Sequence, residues 1–277
     1  MSDLSGPDGA ASLARRWDVA KSFGGAVGFV LAGTLIQESS VSWVFVANAA
    51  TFVVMACVAV VVPGTVASHA GAQPDQPATE APSLAEGFRQ LARPQVCSRV
   101  GLVALTSVLL ATSLKSVSGP FVVGGYSGYT LVHFALTVAA WPVMATVTSL
   151  LLPASWGARR TSLVCGAGLI GVGLMWMAVA HSWIYGRIGF ALAGSGNGVI
   201  NIALSAAIWG DVLSAMQRAT WSAFNFTLAL MLIIGFSVGP AVGPGQAPQV
   251  VFVGGALALV ANTVSVVRRG YGRRRLT

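Results

Sequence analysis

Residues 219–267 run for 49 positions without an Asp, Glu, Lys or Arg, and residues 116–158 run for 43. A water-facing surface cannot be built from stretches like these. A hydrocarbon interior demands them, since a helix needs about 20 apolar residues to cross a core of roughly 30 Å. Each stretch is longer than one span, and each carries its own break. Gly124-Gly125-Tyr126-Ser127-Gly128 interrupts the first, while Gly239-Pro240 and Gly243-Pro244-Gly245 interrupt the second.

Cutting the rest of the chain at charged and turn-forming residues predicts eight spans. They are about Val19–Ile36, Val41–Val62, Val100–Val122 and Tyr129–Leu152, then 161–186 and 188–210, with two more inside 219–267. Residues 64–98 differ: His, Gln, Pro, Thr, Glu and Ser replace the apolar run. A flexible loop is expected over Gly64–Pro82, followed by a short amphipathic helix, Ser83–Ala92, with Glu86 and Arg89 on its wet side. The expected fold class is all-α, a polytopic membrane helix bundle of about eight transmembrane helices.

Composition agrees. Only 9% of the 277 residues are charged, against about 25% in soluble globular proteins. That excludes an ordinary soluble enzyme and a disordered chain. The net charge of +8 raises the question of nucleic acid. The basic residues, however, mark the ends of apolar spans and form no solvated basic domain, so no nucleic-acid partner is expected. The partner is the lipid bilayer. With eight spans both termini share one side, and that side collects every Lys and Arg except Lys115 and Arg187. The positive-inside rule places it, with the polar loop, in the cytoplasm. The first 14 residues show no basic segment leading into an apolar core, so the first span is expected to act as the targeting signal.

The order of elements resembles the last eight helices of a twelve-helix major facilitator superfamily transporter. Four segments carry the likeness. Phe23-Gly24-Gly25-Ala26-Val27-Gly28 looks like the glycine-rich fifth helix of the family's exporters, and Val44–Phe52 like the start of their sixth. Leu84-Ala85-Glu86-Gly87-Phe88-Arg89 with Arg93-Pro94 is similar to the segment before their seventh, and Ala193-Gly194-Ser195-Gly196-Asn197-Gly198 to their tenth. The drug and siderophore exporter branch looks closest.

The resemblance implies four regions. Residues 1–63 hold the N-terminal tail and two helices of an N-terminal half, and 64–98 the cytoplasmic loop. Residues 99–267 hold a six-helix C-terminal half, and 268–277 a basic cytoplasmic tail. The family's first four helices have no counterpart here. The loop Pro153–Arg160 keeps Gly157, Arg159 and Arg160 of a family loop motif but lacks its usual acidic residue. A bacterial inner membrane is the location implied.

Few side chains stand out within the spans. Lys115 lies well inside the third, and an intramembrane charge is a functional hypothesis by default. It either lines a cavity that meets an anionic substrate or snorkels to the outer interface. Asn197 and Asn201, four residues apart, share a helix face. They either meet a polar substrate or bond a neighbouring helix. Asp211 and Arg218 bracket a short cytoplasmic loop across which they are able to pair. His133 is a proton carrier or an interfacial residue. Cys57 and Cys165 read as small packing residues. Gly24/Gly28 and Gly235/Gly239 have the spacing of close helix contacts.

No nucleophile–base set, metal spacing or P-loop is present, so neither enzyme activity, cofactor nor metal is expected. The resemblance implies a secondary transporter of small molecules, an exporter coupled to protons, with Lys115, Asn197 and Asn201 lining its cavity. The alternative is a truncated, non-transporting fragment or an accessory subunit that pairs with another membrane chain.

Overall fold

Proline, glycine and capping side chains divide the apolar runs into helices. A computed structural model describes residues 19–20, 23–31, 34–35, 43, 46–47, 49–51, 53–54, 57, 82–128, 130–152, 160–241 and 243–274. All regular structure among them is helical, apart from one isolated bridge between Ser127 and Ser182. Residues 23–31 are helical, as are the described positions between 43 and 57. The full extents of the first two expected spans, the loop at 64–81, Glu38, Asn48, Gly157 and Arg159 lie outside the described residues.

Helix α1 is Leu84–Leu91. Its start is fixed by a capping box: the Ser83 hydroxyl accepts from the Glu86 amide, and the Glu86 carboxylate accepts from the Ser83 amide at 2.7 Å. Arg89 faces solvent, while Gly87, Gln90 and Leu91 are buried. The amphipathic helix expected from the sequence therefore forms, and its dry side rests on α6 (Ser214–Ala241). Phe88 meets Phe226 edge-on at 6.1 Å.

Six longer helices follow: α2 (Arg99–Gly124), α3 (Leu131–Leu151), α4 (Arg160–Val179), α5 (Trp183–Asp211), α6, and α7 (Ala247–Arg274). Five of them, α3 to α7, are long and apolar enough to cross a membrane. Helix α2 makes a sixth when its two pieces, Gly101–Ser116 and Ser118–Gly124, are taken together across a 50° bend. Pro120 accounts for the bend. Its ring removes a backbone donor and crowds the carbonyl four residues back, at Ser116.

One boundary differs from the sequence expectation. The fifth helix stops at Val179, and the next starts at Trp183. The break is Ala180-His181-Ser182, where a break at Arg187 was expected; Arg187 lies inside α5. Two loops meet here and explain the shift. Ser127 donates to the His181 carbonyl from both its amide and its hydroxyl, at 3.1 and 3.0 Å. The buried Tyr126 hydroxyl donates to the Met177 carbonyl at 2.7 Å. Burial pushes this phenol well above its usual pKa, which keeps it protonated as a donor.

Setting α1 aside, the principal helix contacts are α4–α5, α3–α5, α2–α7, α4–α7 and α2–α6. Exchanging α2 with α5, α3 with α6 and α4 with α7 maps this set onto itself. The six helices are thus two three-helix repeats. An odd number of crossings per repeat turns the second upside down relative to the first.

Small residues allow the closest approaches. A Cβ at Gly173 would sit 2.6 Å from the Gly189 carbonyl oxygen, and one at Gly255 would sit 2.8 Å from that of Gly171. Gly235 presses on Ser113, joining α6 to α2. Among the described residues nothing lies within 4 Å of a Cβ at Gly24 or Gly28; Gly25 instead points at Pro142 of α3. Cys57 and Cys165 are exposed and Cys97 is buried, so the packing cysteine is the one outside the apolar runs.

Candidate functional site

Helix α5 presents different faces to its neighbours. Gly189, Ala193, Gly196 and Ile200 lie against α4, whereas Gly194 and Gly198 lie against Trp141 and Ala145 of α3. The second face continues through Trp183, Arg187 and Phe190 by the 3.6-residue period. It turns toward the cleft between α2 and α3, and the polar groups of the membrane interior gather there.

Lys115 enters from α2. Its Nζ lies 4.0 Å from the centroid of the Trp141 ring and 5.5 Å from that of the buried Phe190. Its stem runs past Gly119, where a Cβ would meet Cγ at 3.7 Å. Three helices therefore contribute to one ammonium site: α2 the cation, α3 and α5 the aromatic faces. A cation over a ring is stabilised by about 0.5–2 kcal/mol, more as water is excluded. No carboxylate or other hydrogen-bond acceptor reaches the ammonium among the described residues. Lys115 lies in the longer piece of α2, across the bend from the end at Gly124.

One turn from Phe190, Arg187 lies over Trp183, its guanidinium carbon 4.4 Å from the ring centroid. Trp183 also carries His133, stacked at 4.3 Å and 12°. His133 Nδ1 donates to the Gly128 carbonyl at 2.9 Å, so its proton sits on that nitrogen. The histidine clamps the loop after α2 onto the start of α5, which is the interfacial role of the two foreseen.

Asn197 and Asn201 are half-buried and form no hydrogen bond with any described residue. They stand on α5 beyond Phe190, on the flank turned to the same cleft. Asn262 shows what an interhelical amide looks like here: it is 8% exposed, and its Nδ2 donates to the Val164 carbonyl of α4 at 2.8 Å.

The other sequence candidates lie at the arginine-rich end. Asp211 closes α5 and Arg218 lies in the first turns of α6, both exposed, and no ion pair joins them among the described residues. The turn is held instead by Gln217, whose Nε2 donates to the carbonyls of Val212 at 3.1 Å and Trp209 at 3.3 Å. Arg160 begins α4.

A separate groove of about 630 Å³ opens on the far flank of α3, between residues 23–31 and Leu136, Ala140, Val143 and Val147. Its lining is apolar except for Thr146. It offers nothing to orient a polar molecule, so the Lys115 cleft is the stronger candidate.

Trp141, Phe190 and Arg187 are the site residues that the sequence did not single out. An intramembrane lysine without a carboxylate within reach is a signal to look for aromatic rings at the same depth. No family model, curated protein or solved structure matches this chain.

Proposed function

We propose that this chain is a multi-pass membrane protein that works as a secondary transporter of small molecules. The observation that carries the reading is Lys115: an ammonium deep in an apolar bundle, held by rings from two other helices and left without an anion. Intramembrane charges are costly and mark pathways and binding sites. The two inverted three-helix repeats support the same reading, because transporters place their substrate sites near the midplane of such repeats. The sequence likeness to the last eight helices of major facilitator exporters agrees with it, and points to an exporter of the drug and siderophore type coupled to protons, in a bacterial inner membrane. The ends of α2, α4, α6 and α7 that carry Arg99, Arg160, Arg218 and Arg268, and with them both termini, face the cytoplasm in this scheme.

The test is flux in vesicles reconstituted with the full chain. Substrate movement that collapses in Lys115→Ala, with the protein still folded, supports a transporter. Absence of flux across a broad set of small molecules contradicts it.

A second reading has its own observation. The amides of Asn197 and Asn201 are half-buried in the bundle and bond to no described residue. A membrane subunit completed by a further helical body, from another chain, has that appearance. Co-purification of a stoichiometric membrane partner would favour it.

A further inference from the structure

Lys115 and Arg187 are the only basic residues of the described helices away from the arginine-rich end. They occupy equivalent elements, the first helix of each repeat. Both are short of partners. Arg187 has two nitrogens, Nε and Nη2, shut off from solvent with no hydrogen-bond acceptor. Among the described residues the Lys115 ammonium meets only rings. A buried donor left unsatisfied is costly, the more so when charged. Arg187, with two orphaned nitrogens, and Lys115, with rings alone beside its ammonium, are cations without a counter-ion among the described residues.

No described side chain supplies that anion. The acidic residues among those described are Glu86 and Asp211. Glu86 is engaged in the cap of α1. Asp211 ends α5, about 36 Å along the helix from Arg187. Histidine is no substitute, because an imidazole carries no negative charge. Beside the two cations stand the rings of Trp141, Phe190 and Trp183, which suit a flat apolar body and cannot themselves accept a strong hydrogen bond.

We propose that the cleft between α2, α3 and α5 binds an organic anion: a carboxylate, sulfonate or phosphate carried on a flat aromatic or apolar body. Arg187 supplies one positive charge to the anionic group from α5. Lys115 adds the second charge from the opposite helix, and the rings enclose the body. This deepens the transporter reading by naming the chemical class that the site selects, and it rests on that reading only for the site's use in transport.

The experiment is calorimetric titration of the full chain in phosphatidylcholine nanodiscs, with empty discs subtracted. Three matched probes share one ring system: 2-naphthoate, neutral 2-naphthylmethanol and cationic 2-naphthylmethylammonium. The anion is expected to bind at least about tenfold more tightly than the alcohol, and the ammonium not measurably. Lys115→Gln and Arg187→Gln each erase that preference yet keep the affinity for the alcohol, which reports an intact cleft. Arg187→Lys, which keeps the positive charge, recovers it. Repeating the titration in phosphatidylglycerol discs separates two sources of the anion. Unchanged naphthoate binding assigns the site to a soluble anion, and competition by the lipid assigns it to a headgroup. Equal affinity for anion and alcohol, or preference for the ammonium, overturns the proposal. Flux of a neutral compound would then leave the transporter reading standing. Tight anion binding without flux of any compound would instead retain the site and remove that reading.

Discussion

The Lys115 ammonium lies 4.0 Å from the centroid of the Trp141 ring, a cation of one helix held by the face of an aromatic residue on another. The pair belongs to the first two helices of one repeat, and Phe190 joins it from the first helix of the other. The site is therefore assembled across the fold. Its integrity depends on the register of α3 against α5 as much as on the lysine.

Removing the ring exposes that dependence. Trp141→Leu keeps an apolar side chain and loses the π face. Substrate affinity is expected to fall by roughly 2- to 30-fold, equivalent to about 0.5–2 kcal/mol, with Trp141→Phe between the two. The Lys115 amine should also become more reactive toward a membrane-permeant acylating reagent. Unaltered amine reactivity in Trp141→Leu would count against the clamp.

The asparagines separate structure from function. Asn262 ties α7 to the Val164 carbonyl. Asn262→Leu is expected to lower thermal stability by about 0.6 kcal/mol, with an upper bound near 1.7. Asn197→Leu and Asn201→Leu break no bond and should leave the melting temperature nearly unchanged while weakening substrate binding. A melting scan paired with a binding assay on the three variants checks this division.

Close helix contacts set a third expectation. Gly173 and Gly189 let α4 and α5 meet backbone to backbone. Gly173→Val places branched carbon where the Gly189 carbonyl stands and should cost more than 2 kcal/mol, about the range of core overpacking. Gly24→Val and Gly28→Val, with no described residue within 4 Å, should be tolerated. Detergent-resistance assays on the three proteins distinguish them.

The dry side of α1 gives a fourth. Ser83→Ala removes one half of the capping box and should destabilise α1 by about 0.5–2 kcal/mol. Amide exchange over residues 84–91 should accelerate while that of α4 and α5 stays unchanged. Uniform acceleration across the bundle would mean that α1 is integral to the core.

The helices were legible because charge is so scarce. A run of 49 uncharged residues with two Gly-Pro breaks admits little but two spans and a turn, and α6 and α7 follow. The box of Ser83 and Glu86 announced α1 by spacing alone. Arg187 misled for a physical reason. A charge normally marks a span end, yet here the guanidinium is accommodated inside the helix by stacking on Trp183. The meeting of Lys115, Trp141 and Phe190 was invisible, because nothing local fixes the relative depth and rotation of α2, α3 and α5. The same limit applied to the asparagines. Asn197 and Asn262 are one residue type in similar apolar company, and only the neighbouring helix decides which amide is bonded.

Transport itself is the central claim, and one measurement reaches it most directly. Vesicles containing the full chain are loaded in turn with a broad set of small molecules, 2-naphthoate among them, and release is followed for the wild type, Lys115→Ala and Asn262→Leu. The account predicts protein-dependent release of at least one compound in the wild type, release reduced at least about tenfold in Lys115→Ala, and near-normal release in Asn262→Leu, whose loss is one of stability. Equal release of every compound from wild-type, Lys115→Ala and protein-free vesicles would contradict it.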